Sequence, residues 1–171
     1  MYLDDFTISE GIKLELATLK DAKPIAILSR DLVEAGLGWS WTPSRIARHI
    51  RSPQSMVLVV RAQKQVIGFA TMHFSQSEAH LDLLAVTPLY QRCGIGRHLV
   101  LFLERSAEVV GVSLIDLEVR INNQCARMFY RTLGYREIKV IPRYYQGREP
   151  AMRMTHHLKM SFSPDIGFRE I

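Results

Sequence analysis

Residues 84–97 constrain this chain more than any other stretch: Leu-Ala-Val-Thr-Pro-Leu-Tyr-Gln-Arg-Cys-Gly-Ile-Gly-Arg. A short apolar strand runs into a proline turn. A loop with two glycines follows, and an apolar-periodic helix opens at about Gly96. Such a segment presents bare backbone N–H groups. Gly94 and Gly96 carry no side chain to block a ligand, and first-turn amides have no helical partner. The helix dipole adds positive potential, and Arg92 and Arg97 add full charges. The loop predicts an anionic ligand carrying a pyrophosphate.

The rest of the chain limits what can surround that loop. At 171 residues, 47% of them hydrophobic, it can bury one core. Residues 1–158 are expected to form a single domain, with 159–171 a loosely held tail. No apolar run reaches the ~18 residues that span a bilayer. The start, Met1-Tyr2-Leu3-Asp4-Asp5-Phe6, is acidic and mixed rather than a secretory signal, so a cytoplasmic protein without a membrane partner is expected. The net charge is +5, but the 22 Lys and Arg are scattered. With no basic stripe, nucleic acid is not an expected partner. Cys93 and Cys125 have neither disulfide nor zinc spacing. His73, His80, His98, His156 and His157 stand far apart or at element ends, so no metal is expected.

Along the chain, residues 12–17 alternate as a strand. Thr18 can cap a helix that Gly36 and Gly38 end, and Thr42-Pro43 starts a second, short helix. Residues 56–61 and 65–74 read as a hairpin, and 79–86 as the strand before the glycine loop. The loop's helix runs to about Val110, with Gly111 as its stop. Leu114–Ile121 is a strand, a helix follows from Asn123 to Leu133, and residues 135–141 and 149–157 are strands. The order β-α-α-β-β-β-α-β-α-β-β predicts a mixed α/β (α+β) fold. Its sheet has about six or seven strands and helices on both faces.

Residues 117–135 carry the chemistry. On the strand, Ile115, Leu117, Val119 and Ile121 share one face, and Asp116, Glu118 and Arg120 the other. One ionic face borders water or a polar cleft. Asn123 sits where a helix N-cap belongs. Ala126, Phe129, Tyr130 and Leu133 line one helix side.

Together these motifs resemble the GNAT (Gcn5-related) N-acetyltransferases. Gln91-Arg92-Cys93-Gly94-Ile95-Gly96 is similar to that superfamily's acetyl-CoA motif. Leu-Glu-Val-Arg-x-x-Asn-x-x-Ala-x-x-x-Tyr-x-x-Leu-Gly-Tyr, from Leu117, resembles the protein N-terminal acetyltransferase branch of the RimI type. Arg143-Tyr144-Tyr145, Glu149-x-Ala151-x-x-Met154 and Gly38-Trp39-Ser40 extend the likeness over roughly residues 12–157. The resemblance implies a mostly antiparallel GNAT sheet and acetyl-CoA as co-substrate. It places the pyrophosphate on Gln91, Arg92, Cys93, Gly94, Ile95, Gly96 and Arg97. The backbone of Leu84, Ala85 and Val86 would pair with the pantetheine arm, and Asn123 would contact it. Glu118 resembles the family's general base and Tyr130 its general acid. Tyr144 and Tyr145 match the aromatic pair over the acceptor, with Trp39 and Trp41 as further acceptor wall.

Those roles fit elementary chemistry. An α-amine of pKa ~8 is mostly protonated at pH 7 and must lose a proton to attack a thioester. The leaving thiolate, whose thiol has a pKa of ~8.5, needs a donor nearby. Glu118 paired with Arg120 on a solvated face, and Tyr130 as plain core, are the structural alternatives. The chain also departs from the RimI pattern. Glu149-Pro150-Ala151 stands where Glu-Asp-Ala is usual, and the segment 36–43 holds two tryptophans and two glycines. Three functions stay open: acetylation of a protein or peptide N-terminus, acetylation of a small-molecule amine, and a non-catalytic acetyl-CoA-binding module. Monomer and homodimer are both compatible with the sequence.

Overall fold

In the computed structural model, residues 6–9 and 11–159 are described. Strands β1 (Phe6–Ser9) and β2 (Ile12–Leu16) lead to helices α1 (Ala22–Leu28) and α2 (Pro43–Arg51). Strands β3 (Ser55–Ala62), β4 (Gln65–Phe74) and β5 (Glu78–Val86) precede α3 (Ile95–Val109). Then come β6 (Leu114–Arg120), α4 (Gln124–Thr132), β7 (Arg136–Tyr145) and β8 (Glu149–His157). All eight strands join one sheet in the order β1-β2-β3-β4-β5-β6-β8-β7. The expected element order holds, with the short β1 added at the N-terminal edge. The expected tail lies outside the described residues from position 160 onward.

Every pairing is antiparallel except β5–β6, the product of the α3 crossover. Two cores result, one per face. Ile95, Leu99, Leu103 and Ala107 of α3 press onto Leu58, Val60, Ala70 and Met72. The same core takes Ile115, Leu117 and Val119 of β6, whose burial alternates as its sequence does. On the other face, Ile25 and Ala26 of α1 and Ile46 of α2 meet Val57, Val59 and Phe69. Fully burying each such Leu, Ile or Phe stabilises by about 1.5–3 kcal/mol. No helix among the described residues is long and apolar enough to cross a membrane.

The first long helix departs from expectation. α1 ends at Leu28 and widens into a π-turn over Ser29–Val33. Glu34 N–H reaches back to Ser29 O across five residues (2.8 Å). Single π-turns often mark functional sites, because the wider ring re-aims the next side chains. Here the next one is Glu34.

Candidate active site

The site begins where the sheet splits. β5 pairs with β6 only from Glu78 to His80. Beyond that, β5 continues to Val86 and β6 to Arg120 without pairing to each other. The separation starts at a bulge: Met72 faces Leu81 and Thr71 faces Leu83, leaving Asp82 as the extra residue. Leu84, Ala85 and Val86 therefore offer an edge of backbone donors and acceptors to the gap.

The glycine loop lies at the end of that edge. Gln91 Nε2 donates to Val86 O (2.9 Å), pinning the loop to its strand. Arg92 (φ 65°) and Gly94 (φ 81°) adopt left-handed backbone, which turns successive amides toward one side. Among the described residues, no other backbone group accepts from the amides of Arg92 to Arg97. Arg92, Cys93 and Arg97 are exposed, and Ile95 is buried as the first anchor of α3. Gly96 serves packing: a Cβ there would stand 3.4 Å from the Phe129 ring of α4. Asn123 caps α4, its Oδ1 accepting from Ala126 N–H (3.1 Å).

Across the gap, Glu118 is the centre of a dense ionic knot. Its side chain is 2% exposed. Oε1 accepts from Arg153 Nε (2.8 Å) and Nη2 (2.6 Å), directly opposite on β8. Oε2 accepts from His80 Nε2 (2.6 Å) and the Tyr144 hydroxyl (2.9 Å). The Tyr145 hydroxyl donates to Glu118 O (3.2 Å). Arg120 is not its partner; that guanidinium donates to Ala35 O (2.7 Å). Burial alone would raise the Glu118 carboxyl, but the His80 and Arg153 charges and three side-chain donors hold it down at about 2. Burial likewise disfavours His80's charge, yet the Asp82 and Glu118 carboxylates raise its pKa to about 9. Tyr144, half-buried beside the Glu118 charge, is pushed up to about 12.

A cavity of about 340 Å³ opens over this knot, lined by His80, Asp82, Glu118, Tyr144 and Tyr145 and, opposite, by Glu34, Trp41 and Arg45. Glu34 is 6% exposed and organises the segment after the π-turn. Its Oε1 accepts from Ser40 N–H (2.7 Å) and the Ser40 hydroxyl (2.5 Å). Its Oε2 accepts from Trp41 N–H (3.2 Å) and the Ser29 hydroxyl (3.3 Å). Trp41 is buried under the Arg45 guanidinium, 3.8 Å from its ring centroid. Trp39 stays 40% exposed, its indole N–H donating to Trp41 O (3.1 Å). The β7–β8 hairpin closes the roof. Gln146 (φ 51°) and Gly147 (φ 70°) make a tight turn, and Gln146 Nε2 donates to Gly38 O (2.9 Å). A Cβ at position 38 would stand 2.6 Å from Gln146 Nε2, so glycine there lets this latch close.

The structure thus gathers Glu118, Tyr144, Tyr145 and Trp41 around one cavity and leaves Trp39 outside its lining. Tyr130 sits in the core, 7% exposed, edge-on to Phe129 and Tyr135, and burial raises its hydroxyl pKa. Sequence reasoning missed His80, Asp82, Arg153, Glu34 and Gln146. His80 and Asp82 alternate on one strand face, a signal as plain as that of Asp116 and Glu118. The other three come from distant segments with no local pattern. His73 and His80, expected to stand apart, are direct cross-strand neighbours. A wider depression of about 810 Å³ near Lys20, Lys23 and Lys64 touches none of these residues.

Known proteins resemble this chain in sequence and fold. The [ribosomal protein bS18]-alanine N-acetyltransferase of Haemophilus influenzae is 38% identical over 98 residues, which cover 55% of this chain and 66% of that protein. The chain thus spans just under two thirds of that relative's length. The crystal structure of the ribosomal-protein-S18-alanine N-acetyltransferase from Escherichia coli superposes with a TM-score of 0.76 at 25% identity, covering 90% of this chain and 98% of that one. The PaiA N-acetyltransferase of Thermoplasma acidophilum, solved with coenzyme A, shares the fold at a TM-score of 0.71 and 21% identity, over 85% of this chain and 98% of that one. The profile of the Acetyltransferase (GNAT) family matches residues 25–135. With a split β5–β6 pair, an amide-lined loop and that match over most of its length, the chain belongs to the acetyltransferase (GNAT) family.

Proposed function

We propose that this protein is an acetyl-CoA-dependent N-acetyltransferase acting on a primary amine, the α-amine of a protein or peptide N-terminus. One observation carries the reading. The unpaired edge of β5 runs from the His80 junction to the left-handed amide loop, and the cavity around Glu118 lies at the other end of that edge. The residues fit the co-substrate. The amides at 92–97, without a backbone acceptor among the described residues, and the Arg92 and Arg97 charges suit a pyrophosphate. The Leu84–Val86 backbone suits an amide-bearing arm, and Asn123 stands at the same end of the gap. The RimI-type relatives support the N-terminal acceptor.

The side chains divide the work as follows. About a tenth of an α-amine of pKa ~8 is neutral at pH 7, so a strong base is not required. The amine attacks the thioester carbonyl, a C–N bond forms, and nitrogen gains positive charge. Glu118, fixed as a carboxylate by its donors, stabilises that charge and then draws its proton away. The C–S bond breaks and the leaving thiolate takes up the proton that nitrogen loses, with the Tyr130 hydroxyl, which burial keeps protonated, as the proposed hydrogen-bond donor to that sulfur. Holding amine and thioester together contributes most of the rate. Tyr144 and Tyr145 hold Glu118 from the roof side. A small-molecule amine is the second reading, favoured by the Gln146–Gly38 roof over so small a cavity.

The test is turnover with acetyl-CoA on two libraries, one of N-terminal peptides and one of small amines, followed by release of the CoA thiol. Peptide turnover with flat small-amine rates is expected. The reverse moves the acceptor to small amines, and no turnover on either sinks the transferase reading. Glu118→Gln should lower kcat about 10²–10³-fold and leave acetyl-CoA affinity within about two-fold. An unchanged kcat removes Glu118 from the chemistry.

A further inference from the structure

We propose that His73, His80 and Asp82 form a binding site for a divalent transition-metal ion of the Zn²⁺ class, whose occupancy shuts off transfer at the neighbouring site. The hairpin register places His73 of β4 directly opposite His80 of β5, with their rings 5.3 Å apart. The bulge residue Asp82 is the third member. His73 Nδ1 lies 2.9 and 3.0 Å from the two Asp82 oxygens, and His80 Nδ1 lies 3.3 Å from Oδ1. One ligand atom from each residue falls within 4.8 Å of the others.

A second observation points to a cation there. His80 Nε2 donates to Glu118 Oε2 at 2.6 Å. A carboxylate on the far ring nitrogen is the arrangement that orients metal-bound imidazoles and makes them better ligands. With Nε2 turned to Glu118, Nδ1 is the His80 ring atom that faces Asp82 and His73 and is placed to serve as a ligand. Two imidazoles and one carboxylate suit Zn²⁺ and are too rich in nitrogen for Mg²⁺ or Ca²⁺. All three ligands stand on paired strands, so the backbone that carries them is in place before a metal binds. The Asp82 side chain is 11% exposed and that of His73 47%, which leaves an entry path and an outer position for water.

The link to transfer runs through His80. A metal on Nδ1 locks the ring that holds Glu118 and sets a double positive charge at the wall of the cavity. A cationic amine is then repelled. This coupling rests on the acetyl-transfer reading, whereas metal binding does not.

The experiment uses the full untagged chain with Cys93 and Cys125 replaced by serine, because both thiols are exposed and bind zinc themselves. Zinc chloride is titrated calorimetrically, and acetyl transfer is measured with zinc and again after EDTA. One ion per chain is expected, with transfer inhibited and then restored by the chelator. His73→Ala, outside the catalytic set, should weaken zinc binding at least ten-fold, abolish the inhibition and keep zinc-free turnover within two-fold. No saturable binding, or equal binding by His73→Ala, overturns the site. Binding at His73 with unaltered transfer overturns the coupling. A wild-type chain that acetylates no amine sinks the transferase reading alone, since calorimetry still decides the site.

Discussion

The two ends of the cleft are built from different materials. The loop end is main chain: the β5 edge, the left-handed turn at Arg92 and Gly94, and the first amides of α3. The amine end is side chain. Glu118, Arg153, His80 and Tyr144 converge from four strands, and Glu34 and Trp41 arrive from the segment after the π-turn. A main-chain site tolerates side-chain change so long as the backbone can adopt its shape. A side-chain site is retuned by single substitutions. One fold can therefore keep its donor while its acceptor varies.

The sharpest way to break this contrast is to spoil the main-chain end. Gly94→Asp puts a side chain on left-handed backbone and a negative charge among the amides. Acetyl-CoA affinity should fall about 30–100-fold by calorimetry, with the fold retained by circular dichroism. Near-native affinity would show that the amides do not hold the coenzyme.

A smaller effect is expected at the roof. Gly38→Ala crowds Gln146 Nε2, the flexible end of a side chain, so the latch opens and the fold survives. KM for the acceptor should rise about three- to ten-fold while KM for acetyl-CoA stays put. Equal shifts in both would mean that the two ends are not separable.

The smallest effect tests the seam between them. Glu137 of β7 accepts from Arg127 (2.7 Å) and pairs with Arg131 (2.7 Å), both on α4. Those two donors hold its pKa down at about 2 against the ordinary 4.5. A depressed carboxyl stabilises the fold fully above its unfolded value and loses that contribution as pH falls through the folded value. Thermal melts of Glu137→Gln and wild type should therefore differ at pH 7 and converge between pH 4.5 and 2. Solvent screening limits the difference at pH 7 to about 1 kcal/mol or less. A difference that persists at pH 2 would assign the effect to packing.

The loop end was legible because its signals are local. Pro88, Gly94 and the apolar period from Ile95 fall within one short stretch and dictate strand, turn and helix. Asn123 as a cap and the alternation of β6 were equally readable. The knot around Glu118 was not, because its partners lie 35 and 38 positions away, at Arg153 and His80. Arg120, the partner offered by the alternative structural reading, is near in sequence but turns to the Ala35 carbonyl. The π-turn at Ser29 was illegible for another reason. Its residues, Ser29–Val33, include no glycine or proline to mark a break in the helix.

The sequence by itself determined the strand–loop–helix unit, the crossover that makes β5 and β6 parallel, and the alternating faces of β6. Short-range sterics and hydrogen-bond geometry suffice for those. Only the tertiary structure decided that β5 and β6 part after His80, that Asp82 bulges toward His73, and that Glu118 meets Arg153 and His80 rather than Arg120. Strand register and cross-sheet pairing set those contacts, and both depend on how the whole sheet packs between its two layers of helices.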